Sequence, residues 1–244
     1  NKVTELPADV ENSYGGNGKG DNILGRPINS FYGYIADGLF RTEEDIAKHA
    51  TQNGGEGLGR IRYRDLNEDG KIDEDDRTWI GSPHPDFMYG LNIELSYKNF
   101  DLSAFFYGVN GIDVNTYVVK SETDFWSIND VRSNKGTRLL DAWSPTNPDS
   151  NIPAITALNA NDEGRMSTYF VENGSFLKLR NLQLGYTLPR KISEKAYIEK
   201  CRIYVSGQNL FTIKSKNFSG VDPENAGFGY PIPTTFTVGI NIGF

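Results

Sequence analysis

Residues 87–98, FMYGLNIELSYK, decide the reading of the fold. Phe87, Tyr89, Leu91, Ile93, Leu95 and Tyr97 fall at one parity, and Met88, Gly90, Asn92, Glu94, Ser96 and Lys98 at the other. Successive side chains of an extended chain point to opposite faces, so this is a period-two strand, long enough to cross a bilayer. FDLSAFFYG follows almost at once, with Phe100, Leu102, Ala104 and Phe106 alternating with Asp101, Ser103, Phe105 and Tyr107. A tight turn near Lys98-Asn99 therefore joins two long strands. Aromatic residues lie at or near both ends of this hairpin, where the interfacial girdles of a membrane barrel sit.

The same pattern recurs downstream. In TTFTVGINIGF, Phe236, Val238, Ile240, Ile242 and Phe244 share one face, and Thr237, Gly239, Asn241 and Gly243 the other. FLKLRNLQLGYTL and CRIYVSGQNLFTI precede it as two further strands; the apolar parity of the first shifts near Arg180-Asn181, which predicts a bulge. Between them, Pro189 to Lys200 reads as a short turn with one helical turn. Upstream, about Ile28 to Ile35 is a predicted strand, and Thr42 to His49 carries a helix start, with Glu43, Glu44 and Asp45 in the first turn.

Connection lengths alternate. Lys98-Asn99 is minimal and Pro189 to Lys200 short, whereas Gly111 to Thr168 and Lys214 to Pro233 are long and rich in polar residues. If the last strand ends in the periplasm, counting backwards places both long loops outside and both short turns inside, the asymmetry of outer-membrane barrels. A soluble β-sandwich, such as a secreted carbohydrate-binding or adhesion module, also alternates, but its strands are usually shorter.

Composition narrows the classes further. The chain has 244 residues, a formal net charge of −7, two histidines and one cysteine. Phosphate binding needs concentrated positive charge, so nucleic acid is not an expected partner. Cys201 alone offers neither an internal disulfide nor metal-site spacing. No run reaches the roughly 18 apolar residues of a spanning helix, a test that barrel strands escape. The chain starts Asn-Lys-Val-Thr, without a methionine or an apolar leader, so either a signal peptide has been removed or the chain is a fragment. His49 and His84 accompany no nucleophile motif, no carboxylate pair is placed for acid–base work, and the Gly-rich GGNGKG lacks Walker spacing. An enzyme is not expected.

One motif is sharp. DLNEDGKIDEDD puts Asp65, Asn67 and Asp69 at positions one, three and five of a loop, Gly70 at six, Lys71 at seven, Asp73 at nine and Asp76 at twelve. A hard cation wants six or more oxygens, and alternate residues of a tight loop can turn inward to supply them. Gly70 permits the bend, Lys71 would lend its carbonyl and Ile72 would anchor the loop. Asp stands at position twelve where an EF-hand has Glu, as in dockerin-type loops. RIRYR before it reads as extended, so the expectation is a structural calcium ion that staples a loop. Trp79, Trp126 and Trp143 lie in or near the predicted external loops as candidate ligand contacts, by stacking on sugar rings or peptide side chains.

The run from GRIRYRDLNEDGKIDEDDRTWIGSPHPDFMYGLNIELSYKNFDLSAFFYGVNG, with NGSFLKLRNLQLGYTLP, RIYVSGQNLFTI and the closing strand, resembles the SusC/RagA family of TonB-dependent transporters over nearly the whole chain from about Gly25. The resemblance implies an all-β architecture, the C-terminal antiparallel strands of a transmembrane barrel of about 22 strands with long external loops. Residues 1–244 would be the C-terminal part, with about six of the strands; the plug domain and the earlier strands are absent. It further implies an outer-membrane location, a SusD-like surface lipoprotein as lid, the TonB complex acting through the absent plug, and oligosaccharide or peptide as cargo. The barrel-assembly machinery would read the terminal strand ending in Phe244.

Overall fold

The computed structural model describes residues 1–7, 22–128, 132 and 134–244, so the Gly-rich stretch 15–20 lies outside the described residues. In chain order its strands are β1 (Phe31–Gly33), β2 (Ala36–Leu39), β3 (Ile61–Tyr63), β4 (Thr78–Gly81), β5 (Phe87–Tyr97), β6 (Phe100–Asn110), β7 (Asp113–Asn115), β8 (Val171–Asn173), β9 (Phe176–Thr187), β10 (Lys200–Lys214) and β11 (Thr235–Gly243). The α-helices are short: α1 (Glu43–Lys48), α2 (Tyr117–Thr123) and α3 (Arg190–Ser193). The chain divides into two compact units. One holds residues 85–112, 174–225 and 229–244; the other holds 1–84, 113–173 and 226–228.

The first unit is a single antiparallel sheet in the order β11-β10-β9-β6-β5. Its register assembles the sequence parities into continuous rows. Tyr97, Phe100, Tyr186, Ile203 and Ile240 stand side by side across all five strands, followed by Leu95, Leu102, Leu184, Val205 and Val238. Ile93, Ala104, Leu182, Gly207 and Phe236 form the next row. The opposite face carries Glu94, Ser103, Gln183, Ser206 and Thr237 at the level between them. Leu91, Leu95, Val238 and Ile240 are 54% to 73% exposed, so among the described residues nothing covers these positions of the apolar face. A soluble sandwich would bury these residues under a second sheet; a membrane barrel gives them to lipid. Eleven residues of β5 extend about 34 Å, which at a tilt of about 45° reaches through an apolar band about 25 Å tall.

The turns explain the register. Tyr97 pairs with Phe100 across the two-residue Lys98-Asn99 turn, with Lys98 at φ +55°. The predicted bulge is present: Asn181 and Leu179 of β9 pair with Phe105 and Phe106, which leaves Arg180 as the extra residue. On β10, Asn209 at φ +52° and Leu210 interrupt the pairing at the same level. On the polar face, Arg202 reaches Asp101 on β6 with two hydrogen bonds across Gly185 of the intervening strand. A Cβ at Gly185 would collide with both partners, so the glycine opens the path for this ion pair. The 188–199 connection contains the expected helical turn, α3.

The strand predicted over Ile28–Ile35 is present but short, and it lies outside the five-stranded sheet. Only Phe31–Gly33 is extended in pairs, with β4, in a separate two-stranded sheet. Pro27 cannot donate to a ladder, and Asn29 sits at φ +59°, which bends the chain before a long strand can form.

The second unit contains three two-stranded sheets, β1-β4, β2-β3 and β7-β8. Its core is Leu39, Ile61, Tyr63, Ile72, Phe125, Trp143 and Phe170. Thr42 caps α1 by accepting from the Asp45 amide while Asp45 accepts from the Thr42 amide, the predicted start signal. The Thr42 hydroxyl, ahead of the neighbouring amides, holds the Asp45 carboxyl below its ordinary range. The polar 111–175 connection is tied down by buried charge: Asp124, fully buried, accepts from Arg138 at 2.7 and 3.0 Å and from the Tyr169 hydroxyl at 2.8 Å. Lys120 pairs with Glu172 at 2.8 Å.

Candidate functional site

The DLNEDGKIDEDD loop runs between β3 and β4, so strands flank it, in keeping with the extended reading of RIRYR. Its first half folds around Asp65, whose two oxygens accept from the amides of Glu68 at 2.7 Å and Gly70 at 2.8 Å. Asn67 accepts from the Asp69 amide at 3.1 Å, and Asp69 from the Lys71 amide at 2.9 Å. Gly70, at φ +84°, makes the sharp bend. Ile72 is buried in the core and donates to the Thr51 carbonyl at 2.9 Å, which anchors the loop as its apolar position predicts. With the Thr51 amide donating to the Gly70 carbonyl at 3.0 Å, this forms a parallel β-bridge between Thr51 and Lys71.

The second half closes on Asp76. Asp73 caps the short 3-10 turn Glu74–Asp76 and accepts from the Asp75 amide at 2.9 Å. Asp76 is fully buried; its oxygens accept from the Leu66 amide at 2.7 Å and the Asp73 amide at 2.8 Å. This carboxylate fastens the beginning of the loop to its end. Among the described residues no three acidic, histidine or cysteine side chains converge at metal-holding distance. The donors present are nonetheless all hard oxygens on a tight loop, the chemistry of calcium and not of a thiolate or imidazole metal. An ionised carboxylate has about four lone-pair sites, so bonds to two amides leave each of Asp65 and Asp76 further acceptor capacity.

The three tryptophans occupy different settings and do not form one platform. Trp79, on β4, packs edge-on against Tyr32 at 5.0 Å with the Arg26 guanidinium over its ring at 4.9 Å. Trp143 is buried in the core, its indole N–H without an acceptor among the described residues, beneath Gly59, where any Cβ would strike the ring. Trp126 is 38% exposed and lines an open cavity of about 420 Å³ with Lys135, Gly136, Thr137, Leu139, Leu140 and Ile155. Trp143 borders a second open cavity of about 470 Å³, but at 7% exposure against 38% for Trp126 it offers that cavity little surface. Sequence reading missed the cavity's apolar members, whose only signal is Leu139-Leu140 in an otherwise polar stretch.

Deeper in the same unit lies a polar network. β3 pairs with β2 along one side only, and side chains serve the backbone on the other: Glu163 accepts from the Ile61 amide at 2.7 Å and Gln52 from the Tyr63 amide at 2.6 Å. Gln52 and Asn161 both donate to the Ile61 carbonyl at 2.9 Å. Arg60 pairs with Glu163 at 2.5 Å, both buried. Burial pushes the Glu163 carboxyl up and the Arg60 guanidinium down, each against the attraction of its partner. This site is structural, since every acceptor faces protein.

No protein-family model matches the chain. It is 34% identical over 236 residues to TonB-dependent receptor P3 of Formosa agariphila, covering 90% of this chain and 22% of that receptor. It is 30% identical over 189 residues to TonB-dependent receptor SusC of Bacteroides thetaiotaomicron, covering 75% of this chain and 17% of the relative. Among solved structures, the RagAB peptide importer in its open-open state matches with a TM-score of 0.71 at 25% identity, over 100% of this chain and 25% of that chain. The chain thus spans a quarter or less of the length of these relatives.

Proposed function

Since this chain belongs with the TonB-dependent receptors of the SusC and RagA type, which are outer-membrane β-barrels, we propose that it forms a wall segment and external loops of a transporter for energy-coupled nutrient uptake. The observation that carries the reading is the sheet of five long strands, with uncovered apolar rows on one face and a polar ladder on the other. Backbone groups in lipid must be paired, so β5 and β11, each with one free edge in this sheet, need further strands to close a barrel. The cargo is an oligomeric nutrient, oligosaccharide or peptide, taken from a SusD-like lipoprotein at the loop end and released by the TonB complex acting on a plug domain. The matched relatives are receptors and transporters by name, in keeping with a protein that moves a solute and does not convert it.

Fractionation of source cells tests this. An antibody against the 111–168 loop should mark a heat-modifiable outer-membrane band of about four times the 27.2 kDa of this chain. A soluble band near 27.2 kDa outside the cell would replace the transporter with a secreted binding module.

The 65–76 loop takes one structural calcium ion in this reading, with Asp65, Asn67, Asp69, Asp73, Asp76 and the Lys71 carbonyl as its oxygen donors. Binding to the folded state alone stabilises by about 2.7 kcal/mol at a hundredfold excess over Kd. Calcium should therefore raise the melting temperature of the full receptor, a chelator should lower it, and Asp69→Ala should remove the response. A transition that ignores both calcium and chelator rules the ion out.

A further inference from the structure

Lys178 stands on the polar face of β9, level with Tyr107 on β6 and Thr212 on β10. A lysine on the lumen face of a barrel wall would ordinarily project into water, yet this one is 1% exposed. Its cover comes from the connection between β10 and β11. The Lys178 ammonium donates to both oxygens of Asp222 at 2.8 Å and to Glu224. Arg180, the bulged residue, donates to the other oxygen of Glu224 at 2.5 Å and lays its guanidinium over Tyr107 at 4.8 Å. Nearby, Lys214 donates to the carbonyls of Gly220 at 2.5 Å and Val221 at 2.9 Å, with its ammonium over the buried Phe218 ring.

Two cations and two carboxylates thus close into a neutral cluster that presses the connection against the wall. Removing Lys178 while the strap stays closed would leave two partly buried carboxylates with Arg180 as their one remaining cation, so the closed position depends on the lysine. We infer that residues 214–225 form a fixed strap over the loop end of the polar face, with Lys178 as the positioning residue that fastens it. The strap narrows the passage there and presents Arg180 and Glu224, both partly exposed, to a passing solute. That a passage exists rests on the barrel reading above; the strap itself does not.

The test uses the full receptor in its membrane, with Cys201→Ser removing the native thiol and Phe218→Cys as reporter. A membrane-impermeant maleimide should label Cys at 218 slowly when position 178 is Lys or Arg, and faster by about tenfold or more after Lys178→Ala. Asp222→Asn with Glu224→Gln, which leaves the wall strands intact, should release the strap equally. Proteinase K, with Phe218 retained, should cut within 215–225 only in the released variants. Equal labelling and equal cleavage in all variants overturns the strap. Heat-modifiability of the same samples separates the two ideas: its absence beside Lys178-dependent labelling retains the strap and removes the barrel.

Discussion

A full receptor carrying Ile93→Arg is expected to reach the outer membrane as a folded barrel only in trace amounts. Ile93 sits in the row Ile93, Ala104, Leu182, Gly207 and Phe236, with two apolar rows on the turn side and further ones toward the loops, so it lies near mid-bilayer. Arginine on the lipid face at that depth costs about 2–4 kcal/mol. At about 1.4 kcal/mol per tenfold, assembly should fall by roughly 30-fold or more. Gln183→Arg is the matched control: it lies on the polar face, at the level of Ser103 and Ser206, and should assemble close to normally. The measurement is the heat-modifiable fraction in purified outer membranes. Equal loss in both variants would remove the assignment of faces, and with it the wall segment.

The second large effect is expected in the loop unit. Glu163→Ala removes the acceptor of the Ile61 amide and the partner of buried Arg60 in one step. Breaking a buried pair from one side costs about 3–5 kcal/mol, because the remaining charge keeps its desolvation penalty. Whole domains are stable by only about 5–15 kcal/mol, so the loop unit should become protease-sensitive and the Ile61 amide should exchange at the rate of an open loop. Glu163→Gln retains an acceptor for the amide and should lose less. Arg60→Met with Glu163→Leu, which removes both charges and restores apolar volume, should recover much of the stability even though it deletes more polar contacts. If Glu163→Ala leaves exchange at Ile61 unchanged, the amide has another acceptor and the account of β3 is wrong.

The sequence alone determined the features that are local or periodic. Side-chain parity is a property of the extended chain itself, so the apolar and polar faces of β5, β6 and β11 follow from alternation alone. The Lys98-Asn99 turn, the Thr42 cap and the shift at Arg180 were legible because each is set by residues within a few positions of one another. Loop lengths then fixed which connections share an end of the sheet. The strand predicted over 28–35 is shortened to Phe31–Gly33, because Pro27 cannot donate to a ladder and Asn29 bends the chain.

Tertiary structure alone decided the fate of side chains whose partners are remote in sequence. Glu163 meets Arg60 and Ile61 across about a hundred residues, Lys178 meets Asp222 across 44, and nothing in the local pattern marks either pair. Trp143 and Trp126 read alike in a polar loop, yet one is buried in the core and the other is 38% exposed. The physical reason is common to all of these: periodicity says which face a residue takes, whereas burial and ion pairing depend on which distant segment arrives to cover that face.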